Sequence, residues 1–262
     1  MAYDRILLAR DNGLATLTFN APDRLNAVSR KMIAEIKTCW EELAADASVR
    51  AVLITGAGRG FCAGADLADP DREASATADS GSALDKYFNP VIRLMRTIPK
   101  PIVAAVNGVA AGVGMSFALA SDIAIAGKSA SFLQAFARIG LLPDGGSTWF
   151  LPRLVGDQRA RALAMLAPQI SADQAKQWGL IWDVVDDAVL MATATEVARK
   201  LADGPTLALA RIKGALDKSS ANDLSAQLDL ERDFQRELGR SEDFREGVTA
   251  FLAKRKAAFK GK

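Results

Sequence analysis

Three short apolar runs along the first part of the chain are each followed by a glycine-containing turn. Val52-Leu53-Ile54 leads into Gly56-Ala57-Gly58-Arg59-Gly60-Phe61-Cys62-Ala63-Gly64-Ala65-Asp66-Leu67. Ile102-Val103-Ala104-Ala105-Val106 leads into Asn107-Gly108-Val109-Ala110-Ala111-Gly112-Val113-Gly114. Ile123-Ala124-Ile125 precedes a third turn, Gly140-Leu141-Leu142-Pro143-Asp144-Gly145-Gly146-Ser147-Thr148. Buried strands that hand over to turns and then to helices define an α/β chain. Glycine lets the backbone approach a ligand closely and adopt positive φ. A helix that starts directly after such a turn aims free N–H groups and a partial positive charge at its neighbour, which suits an oxyanion or a phosphate. Glycines alone fit tight turns and close helix packing equally well. The first turn has Ala65-Asp66 after Gly64 in place of the Lys-Ser/Thr of a Walker loop. The second has the wrong glycine spacing for a dinucleotide fingerprint.

Around these turns the pattern predicts a hairpin from Ile6-Leu7-Leu8 and Leu14–Phe19 across Asp11-Asn12-Gly13. A helix capped by Ser29 follows, with Met32, Ile33, Ile36, Trp40 and Leu43 on one face. Residues 68–82 are small, polar and acidic and read as a mobile surface loop. Beyond Gly156 the pattern is helical, with helices expected near 158–166, 171–178, 188–202, 205–218, 222–238 and 241–256, and Pro205 in a first turn. The expected division is a core over residues 1–200 and a C-terminal helical region over 201–262.

Histidine is absent, which removes Ser-His-Asp and Cys-His catalysis. With two cysteines, Cys39 and Cys62, no zinc site is expected, and the lack of a disulfide framework fits a reducing cytoplasm. The 33 basic and 31 acidic residues nearly cancel, so no net field argues for nucleic acid or an anionic membrane as partner. The longest apolar stretch, from Ile102 to Ala120, is broken by Asn107, Gly108, Gly112 and Gly114 and does not read as a membrane span. Acid–base chemistry must come from carboxylates, Lys, Tyr, Cys or water.

Taken in order, the stretches GAGRGFCAGADL (56–67), NGVAAGVGMSFALASD (107–122) and IGLLPDGGSTWFLPRLVG (139–156) resemble the crotonase, or enoyl-CoA hydratase/isomerase, superfamily. PDRLNAV (22–28) and FLAKRKAAF (251–259) extend the resemblance from about residue 5 to the C-terminus. It implies a crotonase-like spiral of ββα units followed by a C-terminal helical trimerisation region, and a homotrimer or dimer of trimers. It also implies an acyl-CoA substrate and no separate cofactor, CoA being part of the substrate. By motif position, the N–H groups that hold the thioester oxygen would belong to Ala65 and Val113, with Gly64 and Gly112 shaping the turns beside the substrate. Arg24, Leu25, Ala27, Ala63, Asp66 and Leu67 would border the CoA groove. Phe259 and Lys260 would reach CoA, in this chain or a neighbour, with a frayed tail as the alternative.

The two glutamates that family hydratases use to activate water correspond here to Ser116 and Phe136. Neither ionises, so both are expected beside the substrate without an acid–base role. A carboxylate stands instead at Asp144, in the pattern of family isomerases, and LLPDGGST most resembles the branch that opens ring-epoxidised phenylacetyl-CoA to an oxepin in phenylacetate breakdown. A dehalogenase branch places an aspartate nucleophile at the same position. Phe136, Leu141, Leu142 and Trp149 are expected to desolvate Asp144 and raise its pKa, with Leu142 at the acyl group. From the residues alone, Asp144 reads first as an N-cap or turn aspartate. Asp122 reads as a cap, Cys62 as packing, and Tyr87 and Phe88 as helix core or acyl pocket. The expected activity is an acyl-CoA isomerase with Asp144 as acid and base. A hydratase or lyase and a non-catalytic CoA-binding protein are the alternatives.

Overall fold

The computed structural model describes residues 3–71 and 79–262. Part of the loop expected at 68–82 therefore lies outside the described residues. The strands are β1 (Ile6–Asp11), β2 (Leu14–Phe19), β3 (Ala51–Gly56), β4 (Gly60–Cys62), β5 (Ile102–Val106), β6 (Val109–Ala111), β7 (Ile123–Gly127), β8 (Ser131–Leu133), β9 (Gln169–Ser171) and β10 (Asp183–Val185). The helices are α1 (Arg30–Ala45), α2 (Ser80–Ala83), α3 (Asn89–Thr97), α4 (Val113–Ala120), α5 (Ser147–Val155), α6 (Asp157–Leu166), α7 (Ala172–Gln177), α8 (Leu190–Ala202), α9 (Thr206–Ser219), α10 (Leu224–Leu238) and α11 (Glu242–Leu252). A π-helical turn over Leu84–Phe88 joins α2 to α3. Pro205 stands just ahead of α9 as its N-cap residue.

Strands β3, β5 and β7 each enter a six-stranded sheet of order β1-β2-β3-β5-β7-β10, and their successors β4, β6 and β8 enter a four-stranded sheet of order β4-β6-β8-β9. Successive ββα turns thus stack as a spiral, each adding one strand to each sheet. The expected hairpin is present, pairing Asp11 with Leu14 across Asn12-Gly13. Ser29 caps α1 by accepting from the Met32 N–H at 3.2 Å.

The alternation of strand side chains explains the layers. Ala51, Leu53, Val103 and Ala105 face α8, whose Leu190, Ala194, Ala198 and Ala202 recur every four residues. Small alanines let that helix lie close to the sheet. On the opposite face Val52, Ile54, Ile102 and Ala104 join the main core with Ile33, Ile36 and Trp40 of α1. Helix α4 is buried along its whole length, which is why its sequence shows no polar face.

Helix α9 reaches the core through a buried lysine. Lys213 donates to the carbonyls of Met95 at 2.8 Å and Lys100 at 3.3 Å, and its ammonium lies 3.1 Å from Asp122. Asp122 also accepts from the Ile102 N–H at 2.8 Å and pairs with Arg96 at 3.4 Å, and Arg96 in turn pairs with Asp217 of α9. Asp122 is thus more than a cap; it joins β5, α3 and α9. Replacing Asp122 by Ala leaves a buried ammonium without its carboxylate, so we expect a loss of about 3 kcal/mol, read from the denaturant midpoint at pH 7.

Candidate active site

Both early glycine turns meet at one end of the small sheet. Gly114, the second residue of α4, lies directly against strand β4, where an added Cβ would come within 2.1 Å of the Cys62 carbonyl oxygen. Likewise, a Cβ on Gly108 would come within 2.0 Å of the Arg59 carbonyl oxygen. The first turn and the start of α4 are therefore in backbone contact, with no room for side chains between them.

Two asparagines tie this region together. Asn26, fully buried, accepts from the Ala21 N–H at 2.8 Å and donates to the carbonyls of Ala57 at 2.9 Å and Gly60 at 2.7 Å. Asn107 accepts from the Gly56 N–H at 3.1 Å and donates to the carbonyls of Gly56 and Gly58, both at 2.9 Å. Our sequence reading passed over both as site residues. For Asn107 the available signal was an amide side chain beside a glycine in a turn whose backbone groups need partners, whereas Asn26 lies between Leu25 and Ala27 and carries no such signal.

These turns open on a cavity of about 620 Å³. Ala63, Gly64, Ala65, Asp66 and Leu67 line it from the first turn, Gly112 and Val113 from the second, and Phe136, Leu142 and Asp144 from the third region. Val28 accepts from the Asp66 N–H at 3.0 Å and donates to the Gly64 carbonyl at 2.7 Å. In that parallel bridge the N–H of the intervening Ala65 points away from Val28. Val113 is the first residue of α4, so its N–H has no acceptor within the helix. Two such backbone donors beside a cavity can hold a developing oxyanion.

Asp144 is partly buried, and one carboxyl oxygen has no hydrogen-bond partner among the described residues. Burial pushes its pKa up to about 6. The apolar residues expected to shield it differ in exposure. Leu142 is 73% exposed, and Leu141 and Trp149 are also exposed, whereas Phe136 is buried. Leu141 and Leu142 line the cavity despite their exposure, as does Phe136, whereas Trp149 lies on α5 and is not among the described lining residues.

Several other expected site residues do not line the cavity itself. Ser116 is fully buried behind the wall and does not line the cavity. Arg24, Leu25 and Ala27 are not among the described lining residues; Arg24 is exposed and pairs with Asp66 at 2.5 Å. The tail is pinned rather than frayed: the Phe259 carbonyl accepts from Arg50 at 2.9 Å, and the Lys260 N–H donates to Asp243 at 2.7 Å. Neither Phe259 nor Lys260 lines the cavity of its own chain. Tyr87 and Phe88 do, and the Arg30 guanidinium lies 4.6 Å above the Tyr87 ring. Cys62 is buried, as expected of a packing residue.

With this geometry in view, the pattern of the enoyl-CoA hydratase/isomerase family matches residues 9–262. The chain belongs to the enoyl-CoA hydratase/isomerase family. It is 50% identical, over 98% of both chains, to the 1,2-epoxyphenylacetyl-CoA isomerase of Escherichia coli strain K12. It is 35% identical, over 99% of both chains, to the crotonyl-CoA hydratase of Syntrophomonas wolfei. The crystal structure of an enoyl-CoA hydratase from Bacillus anthracis superposes with a TM-score of 0.92 at 30% identity, covering 99% of this chain and all of that one. The crotonase fold expected from the motifs is thus the fold of this enoyl-CoA hydratase/isomerase family member. Among the described residues no helix is long and apolar enough to cross a membrane, and no group of three or more His, Cys, Asp or Glu side chains is placed to hold a metal.

The raised pKa of Asp144 has a sign that stability measurements can read. The carboxyl is neutral in both folded and unfolded chains below its ordinary range. Above about 6 it is ionised in both, and the folded state then bears the desolvation cost. Stability contributed at acid pH is therefore lost between about 4 and 6, by roughly 2–3 kcal/mol. We expect Asp144→Asn to melt above the wild type at pH 8 and to lose that advantage at pH 4, read by calorimetry.

Proposed function

We propose that this family member is an acyl-CoA isomerase in which Asp144 transfers the proton and the N–H groups of Ala65 and Val113 hold the thioester oxygen. The observation that carries the proposal is Asp144 itself, a desolvated carboxylate in the wall of the cavity that both backbone donors border. Removing a proton next to a thioester places negative charge on the thioester oxygen. Two N–H donors aimed there favour that charge without reorganisation, each worth ~3–4 kcal/mol. With its pKa near 6, Asp144 is ionised at neutral pH yet basic enough to accept the proton and return it. Returned to a different carbon of the conjugated system, the proton leaves a product of unchanged composition.

Ring-epoxidised arylacetyl-CoA is the substrate class we favour. Support comes from the 50% identity to an isomerase of that name, from the LLPDGGST turn, and from the aromatic side chains Phe136, Tyr87 and Phe88 around the cavity. In that reaction the proton leaves the carbon α to the thioester and returns to a ring carbon as the epoxide opens to the oxepin. No separate cofactor enters this scheme, since CoA is part of the substrate. A two-carboxylate hydration is disfavoured because Ser116 and Phe136 occupy the positions of the hydratase acids. We also propose self-association through the C-terminal helices, where Leu224, Leu228, Phe244 and Phe251 are exposed. Light scattering should return a trimer or hexamer mass, and a monomer would overturn that part.

Turnover is to be measured with ring-epoxidised phenylacetyl-CoA, 3-enoyl-CoA and 2-enoyl-CoA. We expect isomerisation of the first, with kcat reduced ~10²–10⁴-fold in Asp144→Asn. Because the base must be ionised, kcat/KM should fall as pH drops through about 6. Full turnover by Asp144→Asn would remove Asp144 from the mechanism. Hydration of 2-enoyl-CoA as the main activity would replace isomerase by hydratase. CoA binding with no turnover of any of the three would favour a binding role.

A further inference from the structure

Three fully buried polar side chains lie directly behind the cavity wall, and proton transfer as proposed uses none of them. Gln134, Ser147 and Ser116 are each 0% exposed. The Gln134 side-chain N–H donates to the Ser147 hydroxyl at 2.9 Å. The hydroxyls of Ser147 and Ser116 lie 2.8 Å apart. The Ser116 hydroxyl donates to the backbone carbonyl of Asp144 at 3.0 Å, with the Gly112 carbonyl of its own helix a more distant acceptor at 3.4 Å. Each hydroxyl has a single proton to give, so one polarity satisfies all three contacts. Gln134 donates to Ser147, Ser147 to Ser116, and Ser116 to Asp144. Turning the Gln134 amide over would make Ser147 donate backwards and leave one contact without a proton.

Burying three polar side chains costs free energy unless they are well paired, so their placement invites a reason. We infer that Gln134, Ser147 and Ser116 form a positioning chain that locks the Asp144 turn onto helix α4 and thereby sets the spacing between the carboxylate and the Val113 N–H. Ser116 lies three residues after Val113 on α4, one helical turn from the donor. Ser147 opens α5 on the far side of Asp144, and its own N–H also donates to the Asp144 carbonyl at 3.0 Å. Gln134 directly follows β8, whose Leu133 carbonyl accepts from the Gly112 N–H at 2.9 Å. The chain thus fastens α4, the start of α5 and the residue after β8 to one another behind the cavity wall. Gly145 completes the lock: with φ at +58°, it presses on Ser116 so closely that an added Cβ would come within 2.7 Å of the serine Cβ.

This inference rests on the reading of Asp144 as the base, and its test separates the two. Ser116→Ala removes the hydroxyl but keeps the Cβ beneath Gly145. Gln134→Leu keeps the approximate size, removes the donor, and also removes a carbonyl oxygen that has no partner among the described residues. We expect each to lower kcat ~10–100-fold, the scale of a displaced reacting group, with KM for the acyl-CoA within about threefold of wild type. Loosening the turn lets water reach Asp144, so the acid limb of the pH profile should move down toward the ordinary carboxylate range. The double variant should fall no further than the worse single, because both cut one chain. Should Ser116→Ala not fold, Gln134→Leu carries the same test. Wild-type kcat and an unmoved acid limb in the folded variants, with Asp144→Asn inactive, would overturn the positioning chain alone. A Tm loss with unchanged kcat per folded site would do the same by reducing the chain to a structural role. Full turnover by Asp144→Asn would instead overturn the base assignment.

Discussion

Backbone-to-backbone contact between the first glycine turn and the start of α4 is the constraint on which the site depends. The first glycine turn touches the chain ahead of β6 at Gly108, and β4 touches the first turn of α4 at Gly114, leaving no space for a Cβ at either. Any side chain there would push the Ala65 and Val113 segments apart and widen the cavity between them. The asparagine ties of Asn26 and Asn107 serve the same end, since they satisfy turn carbonyls that strand pairing cannot reach. The spiral then repeats around this contact, each turn adding a strand to both sheets.

Asp144 shows the opposite economy. A carboxylate whose pKa is pushed up to about 6 by burial costs stability at neutral pH. The fold tolerates that cost because the surrounding turn is fastened elsewhere. Its carbonyl accepts from Ser116 and from the Ser147 N–H, and Pro143 and Gly145 beside it are buried. Backbone anchoring holds the residue in place while one carboxyl oxygen stays without a hydrogen-bond partner among the described residues.

Much of the layout was legible from the chain. The hairpin across Asn12-Gly13, the Ser29 cap and the helices beyond Gly156 follow from local turn chemistry and periodicity, because each depends on neighbours in sequence. The cavity position of Asp144, Ala65 and Val113 followed from ordered motifs. Exposure was less legible. Leu141, Leu142 and Trp149 are apolar beside Asp144 in sequence, yet all three are exposed, and only the two leucines line the cavity. Asp122 looked like a local cap, and its partners Arg96 and Lys213 lie on α3 and α9, far along the chain.

By itself, the sequence determined the family, the glycine turns and the absence of any histidine base, since these are properties of residue type and order. Tertiary structure alone decided which groups share a space. Ser116 was placed at the substrate from its motif position, but α4 is buried on all sides and turns that side chain into the wall. There it meets Ser147 and reaches Gln134 through it, at sequence separations of 31 and 13 for the two links. No local pattern encodes such contacts, because a hydroxyl's partner is set by how three separate segments pack.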